Sequence, residues 1–426
     1  MSGPDYTGFQ RTEFAETLAM LRYAEHAQKD FAASIIIVNY NGWHDLAHCL
    51  RSLEASLTPD CEVIVIDNCS TDDSPQRIEQ TFPFARLVRS GINLGFGAGN
   101  NLGAQLARGR ILVFLNPDTA VEPGWLEPLL AAVEGDPLVG VATPRILLMN
   151  DPARINTCGN DLHLSGLALC RGMGKMSEAG AGANVPAGAN VPAGANVPAG
   201  ANVPAGASLP VTGPFFTKKA AEPRAEGTGA PPVQVAAISG AAFAIRSDLF
   251  ATIGGFDETF FLYMEDTDLS MRVQIAGYRC VYVAESVVYH DYELNFGPMK
   301  TYYQERNRYL MLLKTLRWPT LLLLLPALIL SEVVTWGFVL LRDRERIRNK
   351  LLAYAWVLFW WKEIMEKRTW TQKLRRARDR ALLRQTTAHL DYGQAGANSA
   401  VTHLAHLVFD PLFAIMRWST LALLWW

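Results

Sequence analysis

The most constraining feature of this chain is a series of short apolar runs, each closing on a polar cluster. Ser34-Ile35-Ile36-Ile37-Val38 ends at Asn39-Tyr40-Asn41, and Val63-Ile64-Val65-Ile66 ends in the stretch from Asp67 to Asp72. Ile111-Leu112-Val113-Phe114-Leu115 ends at Asn116-Pro117-Asp118-Thr119, and a shorter run at 85–88 precedes Gly91-Ile92-Asn93-Leu94-Gly95. Unbroken apolar runs of this length read as strands covered on both faces, the form taken by parallel sheets. Between them, residues 44–57 carry helical spacing at Leu46, Cys49, Leu50 and Leu53, and a further helix runs through Leu106. Alternation of strand and helix implies an open α/β sheet with right-handed crossovers. Such sheets bind ligands outside the carboxyl ends of their strands, where these polar clusters fall.

The pattern resumes beyond residue 235, with a strand over 236–245 interrupted by Ser239-Gly240 and a short helix over 249–253. A turn follows at Gly254-Gly255-Phe256-Asp257, then a helix over 265–276, a strand over 279–283 and a helix over 300–316. In between, residues 177–232 hold 9 Gly, 9 Pro and 15 Ala, with Ala-Asn-Val-Pro-Ala-Gly recurring through Asn184, Asn190, Asn196 and Asn202. Four short copies with a proline in each and no large apolar side chains cannot bury a core, so the segment reads as a flexible surface insertion. Loop-closure entropy grows slowly with length, and the host domain tolerates it.

A chain of 426 residues exceeds the size of about 250–300 at which single cores stop growing, so two or three units are expected. Lys and Arg total 39 against 41 Asp and Glu, a net charge of −2 that argues against a nucleic-acid binder. Cys49, Cys61, Cys69, Cys158, Cys170 and Cys280 form no CxxC pair and read as reduced, buried thiols in a cytosolic-facing chain. The first thirty residues carry Asp5, Glu13, Glu16, Glu25 and Asp30 and lack the apolar core of a secretion signal. An amphipathic helix over 12–28 fits this extension.

Individual clusters admit a chemical and a structural reading. Asp67 stands at a strand end, where a carboxylate accepts hydrogen bonds from a ribose or a base, whereas Ser70-Thr71-Asp72-Asp73 equally suits a helix N-cap. The glycines of Asn93-Leu94-Gly95-Phe96-Gly97-Ala98-Gly99 permit close approach of a phosphate to a helix N-terminus, but they are not a dinucleotide fingerprint. Asn116-Pro117-Asp118 offers one carboxylate beside an amide and a hydroxyl, a set suited to Mg2+ or Mn2+ holding a diphosphate, or simply a turn. Glu265-Asp266-Thr267-Asp268 opens a helix after Phe260-Phe261-Leu262-Tyr263; Asp268 can pair with Arg272, yet three acids exceed what a helix dipole needs. An acid beside an apolar wall has its pKa raised, as a general base requires. His290 is a third metal ligand or a structural histidine.

Taken in order, Ile37-Val38-Asn39-Tyr40-Asn41, Val65-Ile66-Asp67-Asn68-Cys69-Ser70-Thr71-Asp72, Asn93-Leu94-Gly95-Phe96, Asn116-Pro117-Asp118, Ser239-Gly240-Ala241, Gly255-Phe256-Asp257 and Glu265-Asp266-Thr267-Asp268-Leu269 resemble the family-2 inverting glycosyltransferases of GT-A fold, in wording closest to the rhamnosyltransferase-type subgroup of bacterial polysaccharide synthesis. The resemblance covers about residues 33–316 without the insertion. It implies a mixed, mostly parallel sheet flanked by helices, and a nucleotide-diphosphate sugar as donor. It would place Asp67 on the base or ribose, with Asn39, Asn41, Ser70, Asp72 and Asn116 around the donor and Asn93 and Gly95 on the diphosphate side. Asp118 and His290 would face the metal, and Asn116 replaces the first acid of the DxD element. Asp266, with Glu265 beside it, would deprotonate the acceptor hydroxyl, and Ser239 and Gly240 would shape the acceptor side. The acceptor would be a saccharide or a polyprenyl-linked glycan. A polyprenyl-phosphate sugar synthase and a non-catalytic nucleotide- or glycan-binding scaffold are the alternatives.

Residues 1–32 thus form an extension, 33–317 the glycosyltransferase domain and 318–426 a helical, membrane-associated region. Residues 318–341 carry a single charge, Glu332, and are long enough to cross a bilayer. Residues 342–384, however, hold 14 Lys and Arg against 5 acids, which favours the cytoplasmic side, where nucleotide sugars also reside. An interfacial arrangement at the cytoplasmic face of the inner membrane fits both facts, with Trp356, Trp360, Trp361, Trp370, Trp418, Trp425 and Trp426 at headgroup level. A true span, a soluble packing domain and a homodimer interface are the other readings.

Overall fold

The computed structural model describes residues 31–177, 230–292, 299–342, 346–394 and 399–426. The amphipathic helix expected over 12–28 and nearly all of the repeat insertion lie outside the described residues.

Strands β1 (Phe31–Asn39), β2 (Cys61–Asp67), β3 (Ala85–Arg89) and β4 (Gly109–Leu115) are joined through helices α1 (Trp43–Glu54), α2 (Ser74–Thr81) and α3 (Gly95–Leu106). The apolar runs become strands because both sides are covered: all of β2 and Ser34 to Ile37 of β1 are buried. After β5 (Thr119–Val121) and α4 (Leu126–Gly135) come β6 (Val139–Leu148), β7 (Asp151–Thr157), and a small hairpin of β8 (Asn160–Leu162) and β9 (Ala168–Cys170). The chain continues through β10 (Val233–Val235), β11 (Ala242–Arg246), α5 (Ser247–Thr252), α6 (Glu265–Ile275) and β12 (Arg279–His290).

The main sheet runs β10-β12-β6-β11-β4-β1-β2-β3, with β5 added to β12 and β7 to β6. β1 is parallel to β2 and β4, β2 to β3, and β6 to β12, whereas β11 runs antiparallel to both β4 and β6. Two reversals restore direction, so β1, β2, β3, β4, β6 and β12 all point one way. Their carboxyl ends therefore share an edge, and β11 begins there. The strand expected to stop at Val283 continues to His290, because a register shift between Val283 and Val287 lets the chain pass Glu285 and keep pairing with β6.

Helix α3 approaches the sheet closely. A β-carbon at Gly103 would lie 2.4 Å from Ile36, and one at Gly99 would lie 3.0 Å from Val38. At these two positions the absence of a side chain lets the helix pack against β1.

Beyond β12 come α7 (Lys300–Thr315), α8 (Trp318–Arg342), α9 (Ile347–Phe359), α10 (Trp361–Lys373), α11 (Asp379–Arg384) and α12 (Ser399–Leu423). They share an apolar core with the sheet-bearing half: Leu162, Phe260, Met271 and Ile275 pack with Leu310, Leu324, Ile364, Phe413 and Leu424. Among the described residues α8 alone has the length and apolarity to cross a membrane. Its one acid is not in an apolar setting. Glu332 meets Arg308, Tyr309 and Tyr354 and lies 3.1 Å from Lys350, which reaches Glu305 at 2.8 Å. Leu322, Leu325, Ile329 and Val333, at helical spacing, are exposed on α8. Much of the basic surplus turns inward: Lys350 and Arg368 are buried, Lys367 bonds Asp257 at 2.8 Å and Arg375 bonds Asp379 at 2.6 Å.

Candidate active site

The polar clusters at the carboxyl edge hold one another in place. Asn41, in the left-handed region at φ 52°, accepts from the Thr71 N–H at 2.7 Å, while its own N–H donates to Ser70 Oγ at 2.9 Å. Asn39 Nδ2 donates to the same hydroxyl at 3.3 Å. Asp67 is buried, and its Oδ2 accepts from the Ser70 N–H at 3.4 Å. Asp72 is exposed and accepts from the Ser74 N–H at 3.1 Å, whereas Asp73, at the N-cap position, makes no side-chain capping bond. The Asp72 side chain serves the start of α2.

Asn68 was not singled out in the sequence, yet it sets the next loop. Its Oδ1 accepts from the Leu94 N–H at 2.8 Å and its Nδ2 donates to Asn93 Oδ1 at 3.0 Å. Asn93 Oδ1 also accepts from the Gly95 N–H at 2.9 Å. Gly95 has φ +78°, and a β-carbon there would sit 2.6 Å from the Phe261 ring and 2.7 Å from its carbonyl oxygen. The Phe96 N–H donates to that carbonyl at 2.9 Å, tying the loop after β3 to the segment before α6.

That segment is strained. Phe261, Tyr263 and Met264 have φ of 60°, 68° and 67°, a region costly for residues other than glycine. Asn307 of α7 holds it, donating from Nδ2 to the carbonyls of Phe260, Leu262 and Tyr263 at 3.0, 2.9 and 2.7 Å. Arg306 donates to the carbonyls of Thr259 and Phe260 at 2.6 and 2.8 Å. The segment delivers Glu265 and Asp266 to the first turn of α6. Asp268 points the other way, pairing with Arg272 at 2.8 Å and Lys314 at 2.9 Å in a buried cluster. Its role is structural.

Asp266 is half-buried and accepts from the Gly240 N–H at 2.8 Å, Asn160 Nδ2 at 3.4 Å and the Thr267 N–H at 2.6 Å. Burial pushes its carboxyl above the usual aspartate range against these bonds. Glu265 is buried, and loss of solvent together with the neighbouring Asp266 pushes it up to about 8. Ser239 is buried, with Oγ accepting from the Ala241 N–H at 3.3 Å; it shapes the turn that presents Gly240.

Asn116 reaches the same turn from the other side, its N–H donating to the Ala241 carbonyl at 2.9 Å. Pairing of β5 with β12 sets His290 opposite Thr119 and brings its Nε2 to 3.3 Å from Asp118 Oδ2. His290 Nδ1 lies 3.0 Å from Asn156 Oδ1, which orients the ring. Asp45 of α1 is raised by burial and by the charges of Asp118 and Asp291, so three carboxylates crowd here. Neither Asp45 nor Asp291 carried a signal in the sequence: an acid in a first helical turn reads as a dipole partner.

Asn39 Oδ1, Asp67 Oδ1, Asn116 Oδ1, Asp118 Oδ1 and Glu265 Oε2 are buried without a hydrogen-bond partner among the described residues. Buried acceptors are normally satisfied, so this set suits a ligand or ion with cationic or hydrogen-donating groups. The chemistry available is that of a hard divalent cation near Asp118 and His290, and of a base near Asp266.

A mixed, mostly parallel sheet flanked by helices, with acidic groups at its carboxyl edge, is the arrangement of the GT-A class. The family model described as Glycosyl transferase family 2 matches residues 34–164, and that described as Glycosyl transferase family group 2 matches residues 230–425. The chain belongs to glycosyl transferase family 2. It is 29% identical over 272 residues to the N-acetylglucosaminyl-diphospho-decaprenol L-rhamnosyltransferase of Mycobacterium tuberculosis, covering 60% of this chain and 75% of that one. Among solved structures, Staphylococcus aureus TarS 1–349 aligns at TM-score 0.46 and 15% identity, covering 91% of each chain. The mannosyltransferase PcManGT from Pyrobaculum calidifontis, solved with GDP-Man and Mn2+, aligns at TM-score 0.41 and 14% identity, covering 96% of this chain and 93% of that one.

Proposed function

We propose that this glycosyltransferase moves a hexose, with L-rhamnose the leading candidate, from a nucleoside-diphosphate donor to a lipid-linked saccharide, inverting the anomeric centre. The observation that carries the reading is the set of acceptors with no partner among the described residues: Asn39, Asp67, Asn116 and Asp118 at the ends of strands, and Glu265 at the start of α6. The Mycobacterium tuberculosis relative, whose name specifies an L-rhamnosyl group and a decaprenyl diphosphate acceptor, supports the choice of sugar and acceptor.

In this reading Asp67 accepts from the ribose or base, and the Asn93–Gly95 loop lies along the diphosphate. Asp118 with His290 would hold Mg2+ or Mn2+, and the unpartnered Asp118 oxygen beside an imidazole and an amide fits such an ion. The bound ion would supply Lewis-acid stabilisation of charge on the departing diphosphate. Asp266 takes the proton of the acceptor hydroxyl, its raised pKa making it a stronger base than an ordinary aspartate. Glu265, whose Oε2 has no partner among the described residues, keeps its proton near neutral pH and leaves Asp266 the ionised member of the pair. Ser239 fixes the turn from which the Gly240 N–H orients Asp266 towards the acceptor.

The membrane is the second partner. Leu322, Leu325, Ile329 and Val333 of α8, Leu407, Leu412, Ile415 and Trp418 of α12, and Leu358, Phe359, Trp360 and Trp361 by α9 are exposed. Apolar surface on this scale marks an interaction face. Ion pairs tie Glu332 of α8 to Arg308 of α7 and to Lys350 of α9, which favours α8 lying against the cytoplasmic leaflet over crossing it. Trp356 and Trp426 are not part of the face: Trp356 packs on Arg306 and Trp426 donates to Thr320 at 2.9 Å. A thermal-shift screen over nucleotide sugars, followed by transfer to a polyprenyl-diphosphate-linked acceptor, tests the reading. Stabilisation by one donor and inverted product are expected; no stabilisation by any nucleotide sugar would refute it.

A further inference from the structure

A second cluster of ligating side chains lies in the C-terminal helical region, away from the sheet edge. His406 and Asp410 stand four residues apart on α12, which puts them on one helical face, and His389 arrives from the segment before it. His389 Nδ1 lies 2.5 Å and His406 Nδ1 2.9 Å from the same carboxylate oxygen, Asp410 Oδ2. The three ligand atoms all lie within 4.8 Å of one another. The imidazoles stack face to face, 4.6 Å between centroids and 9° between planes. The Tyr392 hydroxyl reaches the other oxygen, Asp410 Oδ1, at 3.4 Å.

Protons alone are a poor occupant of this arrangement. Charging both rings would place two cations face to face at contact distance, with one carboxylate to balance them. A divalent cation instead takes both imidazoles neutral, and two nitrogens with one carboxylate oxygen are ligands of the borderline-soft class. Two ligands one helical turn apart plus a third from a neighbouring segment is also an arrangement helical zinc sites use. The hydroxyl on Asp410 Oδ1 would fix the carboxylate from outside.

We propose that His389, His406 and Asp410 form a binding site for Zn2+ or a similar divalent transition metal, distinct from the hard-cation site at Asp118. The location gives the ion a task. The segment carrying His389 is anchored to the hairpin of β8 and β9: the Thr387 N–H donates to Leu162 at 2.8 Å, and Gln394 bonds both backbone groups of Cys170 at 2.9 Å. Asn160 of that hairpin donates to Asp266. The ion would therefore clip α12, part of the apolar face, to the hairpin flanking the candidate base.

The test uses the full chain, tag-free, in detergent and stripped of metal. Calorimetry with Zn2+ and visible d–d absorption with Co2+ are recorded for the native chain, His389→Ala, His406→Ala, Asp410→Asn and Asp118→Ala. One tight zinc equivalent is expected in the native chain and in Asp118→Ala. Removing any of the three ligands should weaken it by ~100-fold or more, since loss of an outer partner alone costs up to about that factor. His389 is 63% exposed, so His389→Ala should fold, and its metal-free melting temperature should match that of the native chain. Absence of zinc binding by the native chain, or equal affinity in His389→Ala, overturns the proposal. Zinc affinity lost only in Asp118→Ala also overturns it.

Discussion

Replacing Asn307 with leucine keeps the shape of the side chain and removes the amide that holds the segment before α6. Its Nδ2 serves three carbonyls, at 2.7–3.0 Å, in a stretch where three residues other than glycine have positive φ. An NH2 group carries two protons, so about two full hydrogen bonds are lost, and each buried acceptor left unpaired costs about 1–3 kcal/mol. Arg306 keeps its bonds to the Thr259 and Phe260 carbonyls, although its Nε loses Asn307 Oδ1 at 2.8 Å, and the net loss is roughly 2–4 kcal/mol. That cost falls on the conformation that presents Glu265 and Asp266 and anchors Phe96, because the left-handed residues relax once released. At 1.36 kcal/mol per factor of ten, the transfer rate should drop about 100-fold. Initial rates of sugar transfer, with a melting curve to show that the chain still folds, measure it. Asn307→Asp separates positioning from packing: the same shape with an acceptor facing three carbonyls should be at least as damaging. If both variants transfer within twofold of the native rate, the argument that Asn307 builds the site is wrong.

Other substitutions probe the remaining parts. Gly95→Ala combines a φ of +78° with a β-carbon 2.6 Å from Phe261, and should raise the donor Kd about 10-fold or more, read by calorimetry, given strain of about 1–2 kcal/mol from φ alone. Asp118→Ala should abolish the Mn2+ dependence of nucleotide binding while leaving metal-free binding intact. Glu265 is raised to about 8 in the folded chain, so between about 4.3 and 8 the folded state holds a proton that the unfolded state has released, and stability falls as pH rises through that window. Glu265→Gln removes this dependence and should raise the melting temperature more at pH 8 than at pH 5. Lys350→Ala leaves Glu305 and Glu332 facing one another with one cation fewer and should cost about 3–5 kcal/mol in detergent melts.

The sheet was legible because β1, β2 and β4 are buried on both faces and so need unbroken apolar sequence. Direction was not: Ala242–Arg246 reads like its neighbours, and only pairing shows that β11 runs backwards. The clustering of candidate polar residues at strand ends was legible for the same topological reason. Asn68, Asn160, Arg306 and Asn307 escaped because a polar residue in a helix or turn looks solvated until the tertiary contact is known. Asp268 with Arg272 was readable as an i,i+4 pair, but that Lys314 completes it was not. Four of the six free cysteines are buried as expected, whereas Cys69 and Cys170 are partly exposed in loop and edge positions.

The central claim is that Asp266 receives a proton from an acceptor while a separate set of groups at the same edge holds the donor. Donor affinity and transfer rate of Asp266→Asn, measured on one preparation with the donor found by thermal shift, test it most directly. Nucleotide-sugar affinity should stay within about twofold, while transfer falls by at least the ~10²–10⁴-fold that a general base contributes. Transfer at the native rate in Asp266→Asn would contradict the account.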